Sequence, residues 1–308
     1  DNVVNVLTLN TGVSSAVTGD LGGSTSANQV VNSANVGLTV KGSHTAIDAS
    51  TLITGGSGTD TIELEGDDND EDTAIDIAAG NITKVEKILV VDGGDATTGA
   101  TKLSGDDITI DLASYGTALT IDASALDAAN KDNDADGDID SSDSSAEKLV
   151  ITGTSAKALT VTGGSSDDTI IGSSDTAAGD TLKGGAGADT FTMGAGNLTY
   201  LDTIDGGAGT DIITVAQDVS DVDFMKVSNV ETLTIDEADV STNVLGAYFN
   251  STGITTVNLD PTNVSTISAA GTSGNITYKQ TGAVADVITA GLGDDTFSYG
   301  GTTLLTAA

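Results

Sequence analysis

The 308-residue sequence contains no cysteine, no tryptophan, one proline and one histidine, and aromatic residues make up 3% of it. Without cysteine, the chain forms no disulfide and no thiolate metal site. The catalytic patterns H-E-x-x-H, G-x-S-x-G and the P-loop are missing as well. A Ser–His–Asp triad would have to use His44, which stands in the turn-like phrase K-G-S-H-T. Paired carboxylates for glycoside cleavage stay open, but aromatic platforms for sugar are scarce. We therefore expect no enzymatic activity and no catalytic residues.

Positive charge is equally scarce. The ten basic residues are all lysines and face 46 acidic residues, so the formal net charge is −36. This excess argues against nucleic acid, which is bound by basic faces and arginine forks, and against anionic membranes. No apolar run reaches 18 residues, so no membrane insertion is expected. Repulsion disfavours a compact chain unless cations offset it, and on the order of ten to twenty divalent ions would neutralise it. A solvated, halophile-like surface is the alternative.

A nine-residue phrase recurs five times, with the consensus G-G-x-G-x-D-x-U-x, in which U is apolar. The copies span residues 55–63, 163–171, 184–192, 206–214 and 290–298. The glycines permit the positive φ of a tight turn, the aspartate supplies a carboxylate, and the apolar residue begins a strand that faces the core. The spelling is that of a calcium-binding repeat of parallel β-helices.

These phrases supply most of the predicted calcium ligands, as glycine carbonyls or aspartate carboxylates. The predicted ligands are Gly56, Gly58, Asp60, Asp167, Asp168, Gly185, Gly187, Asp189, Gly207, Gly209, Asp211, Gly291, Gly293 and Asp295. Half-copies nine residues upstream add Asp180, Asp202 and Asp286. The second copy has Ser166 in place of a glycine, the fifth has Ala290, and the first stands apart from the others. We expect these three sites to be weaker or incomplete.

The apolar residue at position eight of each phrase is predicted to point into a core. These residues are Ile62, Ile170, Phe191, Ile213 and Phe297, joined in the half-copies by Ile53, Val161, Leu182, Ile204 and Ile288. Two nine-residue repeats in each turn would stack the turns on one another, so that ions lie between neighbouring turns. The predicted fold class is all-β: a right-handed parallel β-solenoid, of the β-helix or β-roll type, with calcium-binding turns and a few short helices.

Other alternating runs, such as I-T-K-V-E-K-I-L-V and V-S-N-V-E-T-L-T-I, indicate half-buried strands at intervals of roughly twenty to thirty residues. Matching positions in these runs hold Glu86, Glu147 and Glu231, for which capping of a rung is favoured over metal ligation. The apolar spacing of D-V-S-D-V-D-F-M-K-V and T-N-V-L-G-A-Y-F-N indicates short helices. Their large apolar residues, expected to be packing residues, are Phe224, Met225, Tyr248 and Phe249.

The most charged stretch, K-D-N-D-A-D-G-D-I-D-S-S-D, matches an EF-hand-type calcium loop. Its predicted ligands are Asp132, Asp134, Asp136, Asp138, Asp140 and Asp143. Aspartate replaces the usual glutamate at the last ligand position, so we expect lower affinity. A strand follows, which indicates an isolated, dockerin-like loop rather than a paired EF-hand. A second acidic run is a solvated loop or a source of extra carboxylates, and its candidates are Asp67, Asp68, Asp70 and Asp72.

These patterns predict four segments along the chain. Residues 1–130 form a β-rich, solenoid-like segment with one repeat, and residues 131–144 form the inserted calcium loop. Residues 145–220 form a calcium-binding β-roll, and residues 221–308 continue the solenoid with short helices and a final repeat. Because no basic and apolar leader precedes Asp1, we expect a processed chain or a fragment.

The five phrases resemble those of RTX (repeats-in-toxin) proteins, which are bacterial exoproteins secreted by type I systems. Together with the V-E-x-L-x-I strands, the lysine-only basicity and the lack of cysteine, they make the chain resemble type-I-secreted surface-layer (S-layer) proteins. The resemblance implies several bound Ca²⁺ ions, secretion to the bacterial cell surface, and a homo-oligomeric lattice in which the chain is its own partner. Cell-surface polysaccharide, bound through a region outside this chain, is a further partner that it leaves open.

Two other functions remain open from the sequence. The chain is alternatively a repeat region of a calcium-binding adhesin or biofilm matrix protein, in which case a filament or long arm replaces a lattice. It is alternatively the calcium-binding tail of a secreted protease or lipase, whose catalytic part lies elsewhere. The resemblance and the charge also imply that low cytosolic calcium keeps the chain unfolded for export and that high external calcium folds it on arrival.

Overall fold

The fold was analysed in a computed structural model, which describes residues 5–9, 17–20, 28–42, 47, 51–65, 73–76, 82–91, 108–113, 115–126, 148–282 and 284–300. The chain divides into two compact units, Asp1–Thr169 and Ile170–Ala308. The described part contains strands and two short 3₁₀ helices and no α-helix. Among the described residues there is no helix with the length and apolarity to cross a membrane.

The strands of the first unit are short and separated by polar loops. They are β1 (Asn5–Leu9), β2 (Val17–Asp20), β3 (Asn28–Asn32), β4 (Leu38–Gly42), β5 (Leu52–Thr54), β6 (Thr61–Glu65), β7 (Thr73–Asp76), β8 (Ile82–Thr83), β9 (Lys87–Val91), β10 (Ile108–Asp111), β11 (Leu119–Asp122), β12 (Leu149–Thr152) and β13 (Leu159–Thr162). The boundary between the units falls within β14 (Thr169–Ile171).

All strand pairs in this unit are parallel and skip at least one strand along the chain. One sheet has the order β1-β3-β5-β8, and a second has the order β2-β4-β6-β9-β11-β13. A third contains β7, β10 and β12. Because each strand pairs with the strand one turn away, the chain winds through the sheets as a parallel β-solenoid.

The second unit repeats this arrangement. Its strands are β15 (Thr181–Ala186), β16 (Thr190–Met193), β17 (Thr203–Ala208), β18 (Ile212–Val215), β19 (Val227–Ser228), β20 (Thr232–Ile235), β21 (Ser241–Val244), β22 (Thr256–Asn258), β23 (Ser265–Ser268), β24 (Thr277–Gln280), β25 (Val287–Thr289) and β26 (Thr296–Tyr299). They form parallel sheets in the orders β15-β17-β19, β16-β18-β20-β22-β24-β26 and β21-β23-β25. The predicted all-β parallel solenoid is therefore confirmed.

The core of the second unit is a ladder of apolar side chains. Phe191 pairs in register with Ile213, Ile213 with Leu233, Leu233 with Val257, and Val257 with Tyr278. All five side chains are buried, while their strand neighbours point outward, as the period of two requires. The position-eight residues predicted for the core in the other phrases and half-copies are also buried: Ile53, Ile62, Val161, Ile170, Leu182 and Ile204.

The core prediction is wrong for Phe297, which is 45% exposed. Phe297 continues the ladder in register with Tyr278, and the two rings stack with centroids 5.3 Å apart. Its strand, β26, is the last described strand of its sheet, so one side of the ring has no further described rung against it. Ile288, in the last described strand of the sheet β21-β23-β25, is likewise only half-buried.

The predicted short helices are 3₁₀ helices, Asp221–Phe224 and Phe249–Ser251, and the T-N-V part of the second run lies in β21. Phe224 and Phe249 are buried and meet edge to face, with ring centroids 5.2 Å apart. The packing role predicted for Met225 and Tyr248 is wrong, because both are exposed. A single 3₁₀ turn buries one face only, so the residues beside the buried phenylalanines point to solvent.

The turn length also differs from the sequence prediction. Asp180 and Asp202, which occupy equivalent places in successive turns, are 22 residues apart, as are Asp189 and Asp211. Two nine-residue phrases fall short of this distance because a loop at residues 194–202 separates one pair of strands from the next. The four predicted segments remain a prediction, and the segment at residues 131–144 lies outside the described residues.

Ile213 and Ile212 allow a matched test of this core, since they are neighbours on opposite faces of β18. We expect Ile213→Ala to lower the free energy of unfolding by about 2–5 kcal/mol, because it leaves a cavity at a fully buried position. Ile212→Ala removes the same atoms from a half-buried position and is expected to cost clearly less. Urea unfolding in saturating calcium measures both. Equal losses would contradict the assignment of faces.

Candidate metal centre

Two glycine-rich turns of the second unit, at residues 184–189 and 206–211, stack directly on each other. Gly185 pairs in register with Gly207, and Ala186 with Ala208. The Gly187 N–H donates to the Ala208 carbonyl across the stack, at 2.9 Å. The predicted repeat turns therefore come together as the sequence analysis expected, turn upon turn.

The glycines of these turns cannot be replaced without disturbing the stack. Gly185 and Gly207 have φ of 118° and 101°, in the region that favours glycine. A Cβ on Gly207 would lie 2.0 Å from the Gly185 carbonyl oxygen, and one on Gly209 would lie 1.7 Å from that of Gly187. Carbonyl oxygens of one turn thus lie against the backbone of the next turn. Backbone carbonyl oxygens are ligands that calcium accepts.

The aspartate at position six of each phrase turns inward rather than toward solvent. In the described structure this aspartate is buried in four of the five copies, namely Asp60, Asp168, Asp189 and Asp211. The aspartates of the half-copies are buried as well: Asp180, Asp202 and Asp286. Asp295, in the last copy, is only partly buried because its turn belongs to the final described rung. Aspartate is almost never fully buried without compensation, so these positions mark the site.

Each carboxylate reaches from its own rung to the backbone of the preceding rung. Asp202 Oδ1 accepts the Asp180 N–H at 2.7 Å, and Asp211 Oδ1 accepts the Asp189 N–H at 2.8 Å. Glu231 continues the series, since its Oε2 accepts the Asp211 N–H at 2.7 Å. Four other aspartates accept a backbone N–H in the same way: Asp60 from Leu38, Asp168 from Leu149, Asp286 from Ser265 and Asp295 from Ile276. Glu86 likewise accepts the Asp60 N–H. We call this series the acid ladder.

The acid ladder explains the matching glutamates of the strand runs. Glu86 and Glu231 cap the N–H of Asp60 and Asp211, which is the capping role that the sequence favoured. Glu147 lies outside the described residues. A carboxylate is used because a charged acceptor makes stronger hydrogen bonds to N–H groups than a neutral one.

The second carboxylate oxygen closes the turn that carries it. Asp60 Oδ2 accepts the Gly56 N–H at 2.6 Å, and Asp168 Oδ2 accepts the Gly164 N–H at 2.7 Å. Gly164 was not among the predicted site residues. Neither was Asn32, whose side-chain amide donates to Asp60 Oδ1 at 2.7 Å. No signal in the nine-residue spelling reveals Asn32, because it lies on the preceding rung.

Asp180 and Asp202 have hydroxyl partners that the repeat spelling also does not contain. Ser173 donates to Asp180 through both its N–H (2.7 Å) and its hydroxyl (2.8 Å). Thr199 donates to Asp202 Oδ2 in the same way, at 2.7 and 3.0 Å. Ser173 and Thr199 both lie in the loop that precedes their aspartate. A serine or threonine at such a position could have been recognised as a turn cap.

The chemistry of the donor set fits calcium. Calcium takes six to eight oxygen ligands from carboxylates and backbone carbonyls, at roughly 2.3–2.6 Å. Each stacked turn offers carbonyl oxygens and one buried carboxylate, and the chain has no cysteine for a thiolate site. Within the described ranges, no group of three acidic or histidine side chains is arranged to hold a metal. A cation at these turns would therefore rely largely on backbone oxygens, held by Gly185, Gly187, Gly207 and Gly209.

Two ion pairs between lysines and acidic residues lie on strands of the first unit. The described ion pairs join Lys41 to Glu63 and Lys87 to Asp122. Both pairs lie on partly exposed side chains rather than on the acid ladder. The N–H groups that donate to the buried carboxylates orient them without carrying a full positive charge, and a cation bound at the turns would add one.

The loop with the EF-hand-type spacing lies outside the described residues, and so does the acidic run at residues 66–72. Their ligand assignments remain predictions, namely Asp132, Asp134, Asp136, Asp138, Asp140 and Asp143 in the first and Asp67, Asp68, Asp70 and Asp72 in the second. Of the other predicted ligands, Asp167, Gly58, Gly291 and Gly293 lie in turns of the described structure. Their metal binding likewise remains a prediction.

A protein-family model described as the RTX calcium-binding nonapeptide repeat (4 copies) matches residues 162–197, 199–218 and 280–301. The chain contains RTX repeats. These matches cover the last four of the five phrases and the stacked turns described above, whereas the first phrase lies outside them. RTX nonapeptide repeats bind calcium and are typical of secreted, extracellular proteins. The chain has no significant match among curated proteins or among solved structures.

The close approach of the stacked turns predicts that Gly207→Ala is more damaging than a conformational penalty alone. Gly196 is the matched control, since it also has positive φ (75°) but nothing lies within 4 Å of a Cβ placed there. We expect Gly196→Ala to cost about 1–2 kcal/mol. Gly207→Ala should cost more and should weaken calcium binding. Thermal unfolding with and without calcium measures both effects, and similar behaviour of the two variants would contradict the stacked geometry.

Asp211→Asn separates the two roles of a ladder aspartate. The amide keeps an oxygen for the Asp189 N–H but removes the charge that would bind calcium. We expect a smaller calcium-induced rise in stability, with the loss approaching the roughly 2.7 kcal/mol that one site supplies at a hundredfold excess over Kd. Asp236→Asn, at an exposed aspartate, is the control. An unchanged calcium effect in Asp211→Asn would show that Asp211 serves the backbone alone.

Proposed function

We propose that this chain is a structural extracellular protein, whose calcium-loaded turns fold it and allow copies of it to assemble into a bacterial surface layer. The observation that carries the proposal is the acid ladder: carboxylates such as Asp189 and Asp211 are buried between stacked glycine turns. Cations bound between these turns would offset the buried negative charge, which would tie the folded state to calcium.

The charge of the chain supports the same coupling. At a net charge of −36, the calcium-free chain repels itself, and the ladder carboxylates add buried charge to that repulsion. In the low calcium of a bacterial cytoplasm the chain would stay unfolded, which suits export through a type I secretion system. On reaching external calcium, it would gain binding free energy as folding free energy.

Self-association has support from the surface of the second unit. Several large apolar side chains are exposed there, namely Tyr200, Val222, Met225, Val240, Val244, Tyr248, Val287, Leu292 and Phe297. Calcium loading would also reduce the repulsion between copies. The chain itself is therefore the proposed partner. Enzymatic activity is not proposed, because the sequence has one histidine, no cysteine and none of the catalytic patterns considered above.

The test is a titration of calcium into chelated protein, followed by circular dichroism and light scattering on the same sample. We expect the strand signal to rise first and light scattering to rise at higher calcium, because folded copies are needed for assembly. Magnesium at equal concentration is the control and should be far less effective, since it prefers strict octahedral, partly hydrated sites.

Two results would contradict the proposal. Strand signal at full strength in chelator would remove the calcium dependence of folding, and association in chelator would remove its role in assembly. Calcium-induced folding that stays monomeric at every concentration would favour the adhesin or the hydrolase tail. Electron microscopy of the assembled product would distinguish a two-dimensional array from a filament.

A further inference from the structure

Three acidic residues of the second unit form a column that belongs to none of the glycine-rich phrases. Asp218 follows β18, Glu237 follows β20 and Asp260 follows β22. These strands are parallel and in register, with Val215 opposite Ile235 at the ends of the first two. The carboxyl ends of parallel strands meet at one sheet edge, about 4.8 Å apart from rung to rung. The column therefore concentrates negative charge at that edge.

Glu237 is the unusual member of the column. Its side chain is only 9% exposed, and its Oε1 is buried with no hydrogen-bond partner among the described residues. The side chains of Asn243 and Asp218 are neighbours of this carboxylate, and the first favours its charged form while the second disfavours it. A buried, unpaired carboxylate oxygen beside a second carboxylate is costly unless something positive lies there.

The neighbours of the column hold its members in place rather than neutralise them. Asn263 donates its side-chain amide to the Glu237 carbonyl and its N–H to Asp260 Oδ1, both at 2.7 Å. Thr262 donates to the same Asp260 oxygen through N–H (2.6 Å) and hydroxyl (2.8 Å). The Thr242 N–H donates to Asp218 Oδ1 at 2.6 Å. All these donors are neutral, so the negative charge of the column persists.

The acid strengths agree with this description. Burial, and then the charge of Asp218, raise the pKa of Glu237 to about 7. Burial also acts to raise the pKa of Asp260, but hydrogen bonds from Thr262 and Asn263 outweigh it and lower that pKa. Above neutral pH, therefore, Glu237 is ionised next to Asp218 and near an ionised Asp260. Asp218 is exposed, which leaves a route to Glu237 from solvent.

We propose that Glu237 and Asp218 form a calcium site of their own, at the carboxyl ends of β18 and β20 and separate from the glycine-rich turns. Within the part of the chain that the structure describes, no three acidic or histidine side chains are arranged to hold a metal. The site is thus built on two carboxylates, with Asp260 adding negative charge and neutral oxygens completing the shell. Such a set suits calcium, which accepts irregular oxygen coordination, better than magnesium. This inference does not rest on surface-layer assembly.

The test counts bound calcium at pH 8 by equilibrium dialysis with radioactive calcium, on the full chain and its variants. We expect Glu237→Gln and Asp218→Asn each to bind one ion fewer than the original protein. Asp236→Asn is the matched control, since it removes the same charge from the exposed residue next to Glu237 and should lose none. The RTX turns remain intact in every variant, so the bulk of the bound calcium should persist.

Thermal unfolding adds a readout that does not depend on counting. In chelator, Glu237→Gln should unfold at a higher temperature than the original protein, because a buried charge is gone. The rise in unfolding temperature that calcium causes should be smaller for Glu237→Gln than for the original protein. An unchanged ion count in Glu237→Gln and Asp218→Asn would overturn the proposal. A rise in chelator with a full calcium gain would show that a proton, rather than a cation, neutralises the pair, and would overturn it equally.

Discussion

In this solenoid a backbone N–H at the start of one rung is satisfied by a carboxylate from the following rung. Leaving such a donor unpaired would cost about 1–3 kcal/mol, while burying an unneutralised carboxylate costs several kcal/mol. The acid ladder therefore solves a hydrogen-bonding problem by creating an electrostatic one. Asp211 is the clearest case, since it accepts the N–H of Asp189 and lies fully inside the stacked turns. A cation between the turns would offset the buried charge while the carboxylate keeps its hydrogen bond to the N–H.

The solenoid makes this local requirement matter for the whole chain. Each rung contacts its neighbours through parallel strands, so its stability depends on the interfaces above and below it. The apolar ladder from Phe191 to Tyr278 supplies one part of each interface, and the acid ladder supplies the other. Without a counter-charge, the buried carboxylates of the acid ladder offset the stabilisation that the apolar ladder supplies. In the proposed function, calcium bound beside these carboxylates would hold adjacent rungs together and so couple metal binding to folding.

Much of the fold could be predicted because its determinants lie within nine consecutive residues. The phrase predicted the buried apolar residue and the inward aspartate, even in the half-copies around Asp180 and Asp202. The burial prediction that failed concerns a residue whose exposure depends on the position of its strand in the sheet. Phe297 follows the same Asp-Thr pair as Phe191, but it lies on the last described strand of its sheet, so it is exposed.

The hydrogen-bond partners of the aspartates could not be predicted from the sequence either, for a related reason. Asn32 meets Asp60 from 28 residues away, and Leu149 meets Asp168 from 19 residues away, because loop lengths set which rungs coincide. Glu237 and Asp218 belong to no motif, and they become neighbours only through the register of β18 and β20. Register between rungs is a property of the assembled sheet, which no local pattern encodes.

The most direct test of this account is X-ray diffraction from crystals grown in millimolar calcium, with anomalous data collected at a wavelength where calcium scatters strongly. The account predicts anomalous peaks between the turns at residues 184–189 and 206–211, within bonding distance of glycine carbonyl oxygens and of the Asp189 or Asp211 carboxylate. Ordered turns with the same aspartates buried, but with no anomalous peak between them, would contradict it.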